Sequence, residues 1–323
     1  MILCLIDHDR GKLNEVSLQT LTLGKKIADE LGVGLEAVVV GENARSLTDG
    51  LQAYGVSKAH LVTHVSLDDY APEAWAQSIV GLAESLNPEA IFTPGTEQGN
   101  EVLAHVAARL GEPMAANCSV VTPGDTFEVT RVRWGGSLLE DANLSGTIKL
   151  LSSAPHLIAA EAAAADSFEL NEVTPELSDK DFRVKVTRRE LEEGDKVSLT
   201  DAKFVVSGGR GVGSSEGFEK LEQLAGMVGG AVGCSRAVTS HGWRPHSDQV
   251  GQTGARVAPE LYIAAGISGA IQHYIGCKGA KHILAINTDK DAPIVSKSDY
   301  LVVGDLHEVL PAVTEELKKQ GYA

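Results

Sequence analysis

Apolar and polar positions along the first half of the chain switch between two periods. Short β-branched runs at 1–7, 35–40, 59–65 and 90–93 predict strands, and the stretches between them, 16–31, 44–53, 73–86 and 102–110, carry apolar residues at helical spacing. Several of the helical stretches end near Gly or Pro. This alternation is the sequence form of a parallel sheet with crossover helices. Beyond Thr122 the pattern turns more β-like, and 127–134 and 147–151 predict strands without fixing their place in a sheet. From Ala162 the periodicity fades, and 175–196 is dense in charge, with Lys185, Arg188, Arg189 and Glu190 close to Glu192, Glu193 and Asp195. Such a charge run predicts a solvated linker, not a binding tail. The pattern restarts with strands at 202–206, 231–233, 261–265, 282–287 and 300–303, and helices at 216–228, from Ser268 onward and at 306–319. The expected organisation is an N-terminal α/β domain over 1–174, a linker or crossing segment over 175–202, and a second parallel-sheet α/β domain over 203–323.

A length of 323 residues, 43% of them hydrophobic, suffices for two such cores. The 28 basic and 44 acidic residues leave a net charge of −16, which disfavours non-specific attraction to nucleic acid or anionic lipid. No window reaches the roughly 18 consecutive apolar residues of a membrane-spanning helix, so no membrane insertion is expected. The run Met1-Ile2-Leu3-Cys4-Leu5-Ile6-Asp7 enters a strand directly, with no charged n-region, cleavage site or transit segment, and a cytoplasmic location is expected. Cys4, Cys118, Cys234 and Cys277 lie far apart and form no C-x-x-C pair, which predicts buried free thiols. His60 and His64 have the spacing of helical metal ligands, but a strand there sets them about 13 Å apart, and no metal site is expected. Gly135-Gly136-Ser137 and Glu140-Asp141 have no partner base or nucleophile, so hydrolytic catalysis has no support.

The chemistry concentrates after residue 202. Ser207-Gly208-Gly209-Arg210-Gly211-Val212-Gly213 follows a predicted strand and precedes a helix, where open α/β sheets bind phosphate groups. It is not a regular G-x-G-x-x-G and lacks a Walker lysine, so phosphate contact and a plain tight turn both stand as readings. Arg210 sharpens the first, because a guanidinium is a natural bidentate partner for phosphate. Val250-Gly251-Gln252-Thr253-Gly254 lies in a turn-rich stretch, with an amide and a hydroxyl between glycines that let a planar ligand approach the backbone. Tyr262 to His273 reads as strand, small-residue turn and helix. Ser268 is the expected N-cap, presenting the N–H groups of Gly269, Ala270 and Ile271 to an anion. Gln272 and His273 lie one turn into that helix. Cys234-Ser235-Arg236 follows another strand and should bring Arg236 to the same sheet edge. Asn287-Thr288-Asp289 and Gly304-Asp305-Leu306 close two later strands there, suited to adenosine hydroxyls or, equally, to helix capping. Two arginines and a helix N-terminus at one edge suit a dinucleotide.

In this order, over roughly 203–319, these segments resemble the alpha subunit of electron-transfer flavoproteins, together with Gln249-Val250-Gly251-Gln252-Thr253-Gly254, Ala292-Pro293-Ile294 and Asp299-Tyr300. The resemblance implies a heterodimer with a beta subunit and FAD held by a Rossmann-like C-terminal domain. It places Arg210, Ser235, Val250, Gly251, Gln252, Thr253, Ser268, Gly269, Ala270, Ile271, Gln272, His273, Asn287, Asp305 and Leu306 against FAD, with Arg236 beside the isoalloxazine. It also implies that Thr253 bonds the flavin N5 edge and that His273 lies near the pyrimidine carbonyl. These three, Arg236, Thr253 and His273, are the expected flavin-tuning residues. Ala255-Arg256 and Tyr274-Ile275-Gly276-Cys277 depart from the family pattern in packing more than chemistry. Asn100-Glu101 and Ser152-Ser153-Ala154-Pro155 depart from it in the N-terminal half, where the partner contacts are less well matched.

The function the resemblance implies is electron carriage from flavin dehydrogenases, such as acyl-CoA dehydrogenases, to a membrane quinone reductase, with no substrate transformed by the protein itself. AMP is expected mainly in the beta subunit. The alternative is a bifurcating flavoprotein that uses NADH and a second FAD in place of AMP. A nicotinamide-dependent dehydrogenase is disfavoured, because no regular G-x-G-x-x-G opens either domain. The family's flavin domain swings between two others, which makes 175–203 the expected hinge.

Overall fold

A computed structural model describes residues 1–188 and 197–321, and it divides into two compact units, Met1–Glu190 and Leu191–Ala323. In the first unit, strands β1 (Ile2–Leu5), β2 (Leu35–Val40), β3 (Lys58–Val62), β4 (Ala90–Pro94), β5 (Met114–Thr122), β6 (Phe127–Arg133), β7 (Leu138–Leu144), β8 (Lys149–Ser153) and β9 (Glu169–Val173) form one nine-stranded sheet. Their order is β9-β3-β2-β1-β4-β8-β5-β6-β7. Pairing is parallel from β9 through β5, whereas β6 and β7 join as antiparallel hairpins. Helices α1 (Val16–Leu31), α2 (Pro72–Leu86) and α3 (Glu97–Leu110) cross between strands.

The strands alternate their side chains between two cores. Ile2, Cys4 and Ile6 point to the face covered by α1, and Leu3 and Leu5 to the face that holds Trp75 and Ile79 of α2 and Val102 and Val106 of α3. Thr96 starts α3 one turn earlier than periodicity alone suggests, its hydroxyl accepting from the Gly99 N–H at 2.9 Å.

Two expectations need correction here, and a third is filled in. The predicted helix at 44–53 is a run of 3-10 turns over Glu42–Tyr54; its short polar residues compete for backbone groups, as when the Thr48 hydroxyl donates to the Arg45 carbonyl at 2.8 Å. The sheet of the first unit is parallel-rich, as the alternation predicts, and the strands beyond Thr122, whose place the sequence left open, add an antiparallel β5-β6-β7 meander at one edge. Finally, β9 emerges from a stretch without apolar periodicity. Of the charged segment after it, Asp179–Phe182 is a 3-10 turn with a Ser178 capping box, tied to the first unit by Arg109–Asp181 at 2.9 Å and by Arg183–Glu73. The acidic half of that charge run falls on 189–196, outside the described residues.

The second unit is a five-stranded parallel sheet of β10 (Phe204–Gly208), β11 (Ala231–Cys234), β12 (Leu261–Ala265), β13 (His282–Asn287) and β14 (Tyr300–Val303), with α4 (Glu219–Met227), α5 (Arg236–Ser240), α6 (Ile271–Cys277) and α7 (Leu306–Lys319). Its strand order is β11-β10-β12-β13-β14. The chain steps outward from β10 to β11 and then returns across β10 to β12. That reversal is a topological switch point, and the carboxyl ends of β10 and β12 there are where open α/β sheets bind ligands.

All four cysteines are buried free thiols. Burial pushes the Cys118, Cys234 and Cys277 thiols up to about 12, so they are inert at neutral pH.

Candidate functional site at the strand-order reversal

The switch point is built from backbone. After β10, the Gly209 N–H donates to the Ala265 carbonyl at 2.9 Å and the Gly211 N–H to the Gly266 carbonyl at 3.0 Å, which locks this turn onto the turn after β12. A Cβ at Gly209 would stand 2.2 Å from the Gly266 oxygen, so only glycine permits the approach. A second lock joins the 249–257 loop to α6. The Gln252 N–H donates to the Gln272 carbonyl at 2.7 Å and the Val257 N–H to the Gly276 carbonyl at 2.8 Å. The Val250 N–H donates to the Cys234 carbonyl at 2.9 Å, which ties the loop to the end of β11.

The segment after β12 differs from the expected helix start. The α-helix begins at Ile271 with Ala270 in the capping position, so Ser268 is not its N-cap. Gly269, at φ +81°, turns the chain against Ile294 first. The three preceding carbonyls are all engaged from one flank: Ile267 by the Asn287 amide at 2.9 Å, Ser268 by the Ile294 N–H at 3.0 Å and Gly269 by the Lys297 ammonium at 2.8 Å. Among the described residues the N–H groups of Ser268, Gly269 and Ala270 donate to nothing. The expected run of free donors is therefore present, shifted by about one residue and made by a turn instead of a helix end.

Two cations follow neighbouring strands of this sheet. Arg210 opens a 3-10 turn after β10, and Arg236 opens α5 after β11; both are exposed, and among the described residues neither has a carboxylate partner. Guanidiniums without carboxylate partners and N–H groups without acceptors are the kinds of group that bind a pyrophosphate. Gln252, Thr253 and Gln272 are exposed on the loop and helix that the second lock joins, while Val250 and Gly251 are buried. Ser235 precedes α5 without a side-chain capping bond. Two expected contacts have structural work of their own. Asn287 accepts from the Asp289 N–H at 3.0 Å as well as bonding Ile267, and Asp305 caps α7 by accepting from the His307 N–H at 2.8 Å. Leu306 is buried in the core.

His273 is buried, with its Nε2 2.9 Å from the hydroxyl of the fully buried Tyr262. Burial drives its pKa from an ordinary 6.5 down to about 4; the Val250 carbonyl opposes the fall and the Lys297 ammonium adds to it. The ring is neutral at pH 7. Because the unfolded chain takes up a proton near 6.5 that folded His273 refuses until about 4, stability is lost as pH falls through that window and is unaffected above it. Urea unfolding at pH 7 and 4.5 should show the wild type losing about 2–3 kcal/mol more than His273→Leu. Equal losses in the two proteins would contradict a neutral buried ring.

Two buried members of this region carry no signal in the sequence that marks them as functional: Tyr262, an aromatic in an apolar strand, and the Gln249 side chain, only 2% of whose residue surface is exposed. Among the described residues no three His, Cys, Asp or Glu groups could hold a metal, and no helix is long and apolar enough to cross a membrane.

The family model for the electron transfer flavoprotein FAD-binding domain matches residues 198–278, and that for the electron transfer flavoprotein domain matches 2–178. The chain is 36% identical over 323 residues to the electron transfer flavoprotein subunit alpha of Thermoanaerobacterium thermosaccharolyticum, covering 97% of this chain and 96% of that one. The chain belongs to the electron transfer flavoprotein alpha-subunit family. A Mycobacterium tuberculosis relative named electron transfer flavoprotein subunit alpha is 37% identical over 319 residues, 98% of each chain. Protein FixB of Clostridium saccharobutylicum is 37% identical over 324 residues, covering 97% of this chain and 95% of that one. The second unit is thus the family's FAD-binding domain. Its unpaired arginines, free N–H groups and glycine-locked turns fit a dinucleotide that bears a pyrophosphate and a planar ring.

Proposed function

We propose that this chain is the FAD-holding subunit of a heterodimeric electron carrier, which takes electrons from flavin dehydrogenases and passes them to a quinone reductase. The observation that carries this reading is that Arg210 and Arg236, without carboxylate partners among the described residues, follow two strands of the same sheet whose third, β12, is followed by the free N–H groups of Ser268, Gly269 and Ala270. Arg210 and those N–H groups hold the pyrophosphate. Arg236, Thr253 and His273 face the ring, and Gln252 and Gln272 its polar edges. When bound, FAD would supply the one- and two-electron redox chemistry of the carrier. The chain's part is to bind it, orient it and bias its charge state. Arg236 places a fixed cation where negative charge develops, and the buried neutral His273 lends polarity without its own titration near pH 7. A beta subunit completes the heterodimer with AMP.

The test is the absorption spectrum and nucleotide content of the chain co-expressed with a beta subunit, reduced stepwise with dithionite. One FAD and one AMP per heterodimer are expected. Two FAD would move the assignment to bifurcation with NADH, and a colourless complex would overturn flavin binding.

A further inference from the structure

Thr253 carries an exposed hydroxyl, and a single hydroxyl proton can point only one way at a time. What stands behind that hydroxyl is buried. The Gln249 side-chain Nε2 donates to Thr253 Oγ1 at 2.9 Å, and Gln249 Oε1 accepts from the Thr239 hydroxyl at 2.8 Å. The Arg236 carbonyl, at 3.0 Å, competes for the Thr239 proton at a longer distance. With the Thr239 proton on Oε1, the amide nitrogen must face Thr253, because an amide oxygen only accepts. The lone pair of Thr253 that faces the protein is then filled by an N–H, and its own proton is directed outward.

We propose that Gln249, held by Thr239, is a positioning residue that makes Thr253 a hydrogen-bond donor to the bound flavin ring. This rests on the functional reading above, which places Thr253 at that ring. A donor aimed at the ring favours the state with an added negative charge over the neutral one, and so assists uptake of the first electron. If the amide turned over, Thr253 would donate inward to Gln249 and present only lone pairs to the ring, repelling the same charge. The choice between these two settings lies with Thr239.

The loop does not need the Gln249 side chain to keep its shape. Its backbone is closed by Gln249 N–H to the His246 carbonyl at 3.0 Å, Ala255 N–H to the Gln249 carbonyl at 2.7 Å and Gly254 N–H to the Gly251 carbonyl at 3.2 Å. Side-chain variants should therefore leave Thr253 in place and change only its proton.

The experiment is potentiometric titration of the purified heterodimer. Thr253→Val should make uptake of the first electron about tenfold less favourable, equivalent to about 59 mV. Gln249→Leu and Thr239→Val should each shift it in the same direction by a large part of that amount, and Thr239→Ser should restore the wild-type value. The double variant Gln249→Leu/Thr253→Val should match Thr253→Val alone within about twofold, because the two residues act through one proton. If Gln249→Leu does not fold, the Thr239 pair carries the test. A flavin-loaded complex in which Thr253→Val shifts the potential while Gln249→Leu and Thr239→Val do not, or in which the shifts simply add, overturns the proposal alone. A complex without FAD overturns this proposal and the functional reading together.

Discussion

Gly276→Ala is expected to strip FAD from the purified heterodimer while leaving the sheet of the second unit folded. The added methyl would stand 2.2 Å from the Gly251 nitrogen and 2.5 Å from its Cα. Both are backbone atoms, so no rotamer change relieves the clash. Either α6 moves off or the 249–257 loop opens, and the proposed ring contacts Gln252, Thr253, Gln272 and His273 lie on these two pieces. Overpacking of this kind costs about 1–3 kcal/mol. Lost from the bound state, that corresponds to a fall in flavin affinity on the order of tenfold or more. Flavin content after gel filtration, read beside far-UV circular dichroism, measures both halves of the expectation. Gly226→Ala in α4 is the control, since its Cβ would meet nothing within 4 Å, and replacing a helical glycine there should be neutral or stabilising by about 0.4–1 kcal/mol. Full flavin retention in Gly276→Ala would show that the loop and α6 are not one rigid support.

Arg236→Ala should produce the largest electrochemical effect. The residue begins α5, whose start is fixed by the Ser235 N–H donating to the Gly208 carbonyl at 3.0 Å, and no carboxylate among the described residues offsets its charge. A fixed cation beside the ring favours the charged reduced forms by about 1.4–3 kcal/mol, which lowers the first-electron potential by about 60–130 mV when it is removed. Arg236→Lys keeps the charge and should recover most of the shift. An unchanged potential in Arg236→Ala would remove this residue from the ring.

Both expectations concern parts of the molecule that differ in how openly the sequence displays them. Strands such as β10 and β12 are legible because Val205-Val206 and Tyr262-Ile263-Ala264 are apolar runs, buried except for a half-buried Ile263, that end at glycines. The neighbouring Arg210 and Arg236 are legible for a related reason: each follows a strand end, where a ligand edge is expected. By contrast β9, Glu169–Val173, is an edge strand whose residues stay mostly exposed, so no apolar alternation marks it. The same holds for β7, in which Leu138 and Leu139 are adjacent and both exposed. Ser268 looks like an N-cap because serine commonly serves as one. The turn imposed by Gly269 and its contact with Ile294 moved the helix start to Ile271, and that contact is tertiary. Gln249 was invisible as a working residue because a glutamine defaults to the surface, and nothing local shows that Thr239, ten positions earlier, would bury it.

The placement of β8 between β4 and β5 has a consequence for how the protein is made. During synthesis β4 leaves the ribosome, then the whole β5-β6-β7 meander, and only afterward the strand that joins them. Until Lys149–Ser153 has emerged, the growing sheet has a gap at its middle, with the β4 and β5 edges open to any other extended chain. A nascent chain stalled before that point is an aggregation hazard, whereas one a few dozen residues longer is a nearly closed sheet. The period between those two lengths is when a holdase chaperone would matter most to its yield.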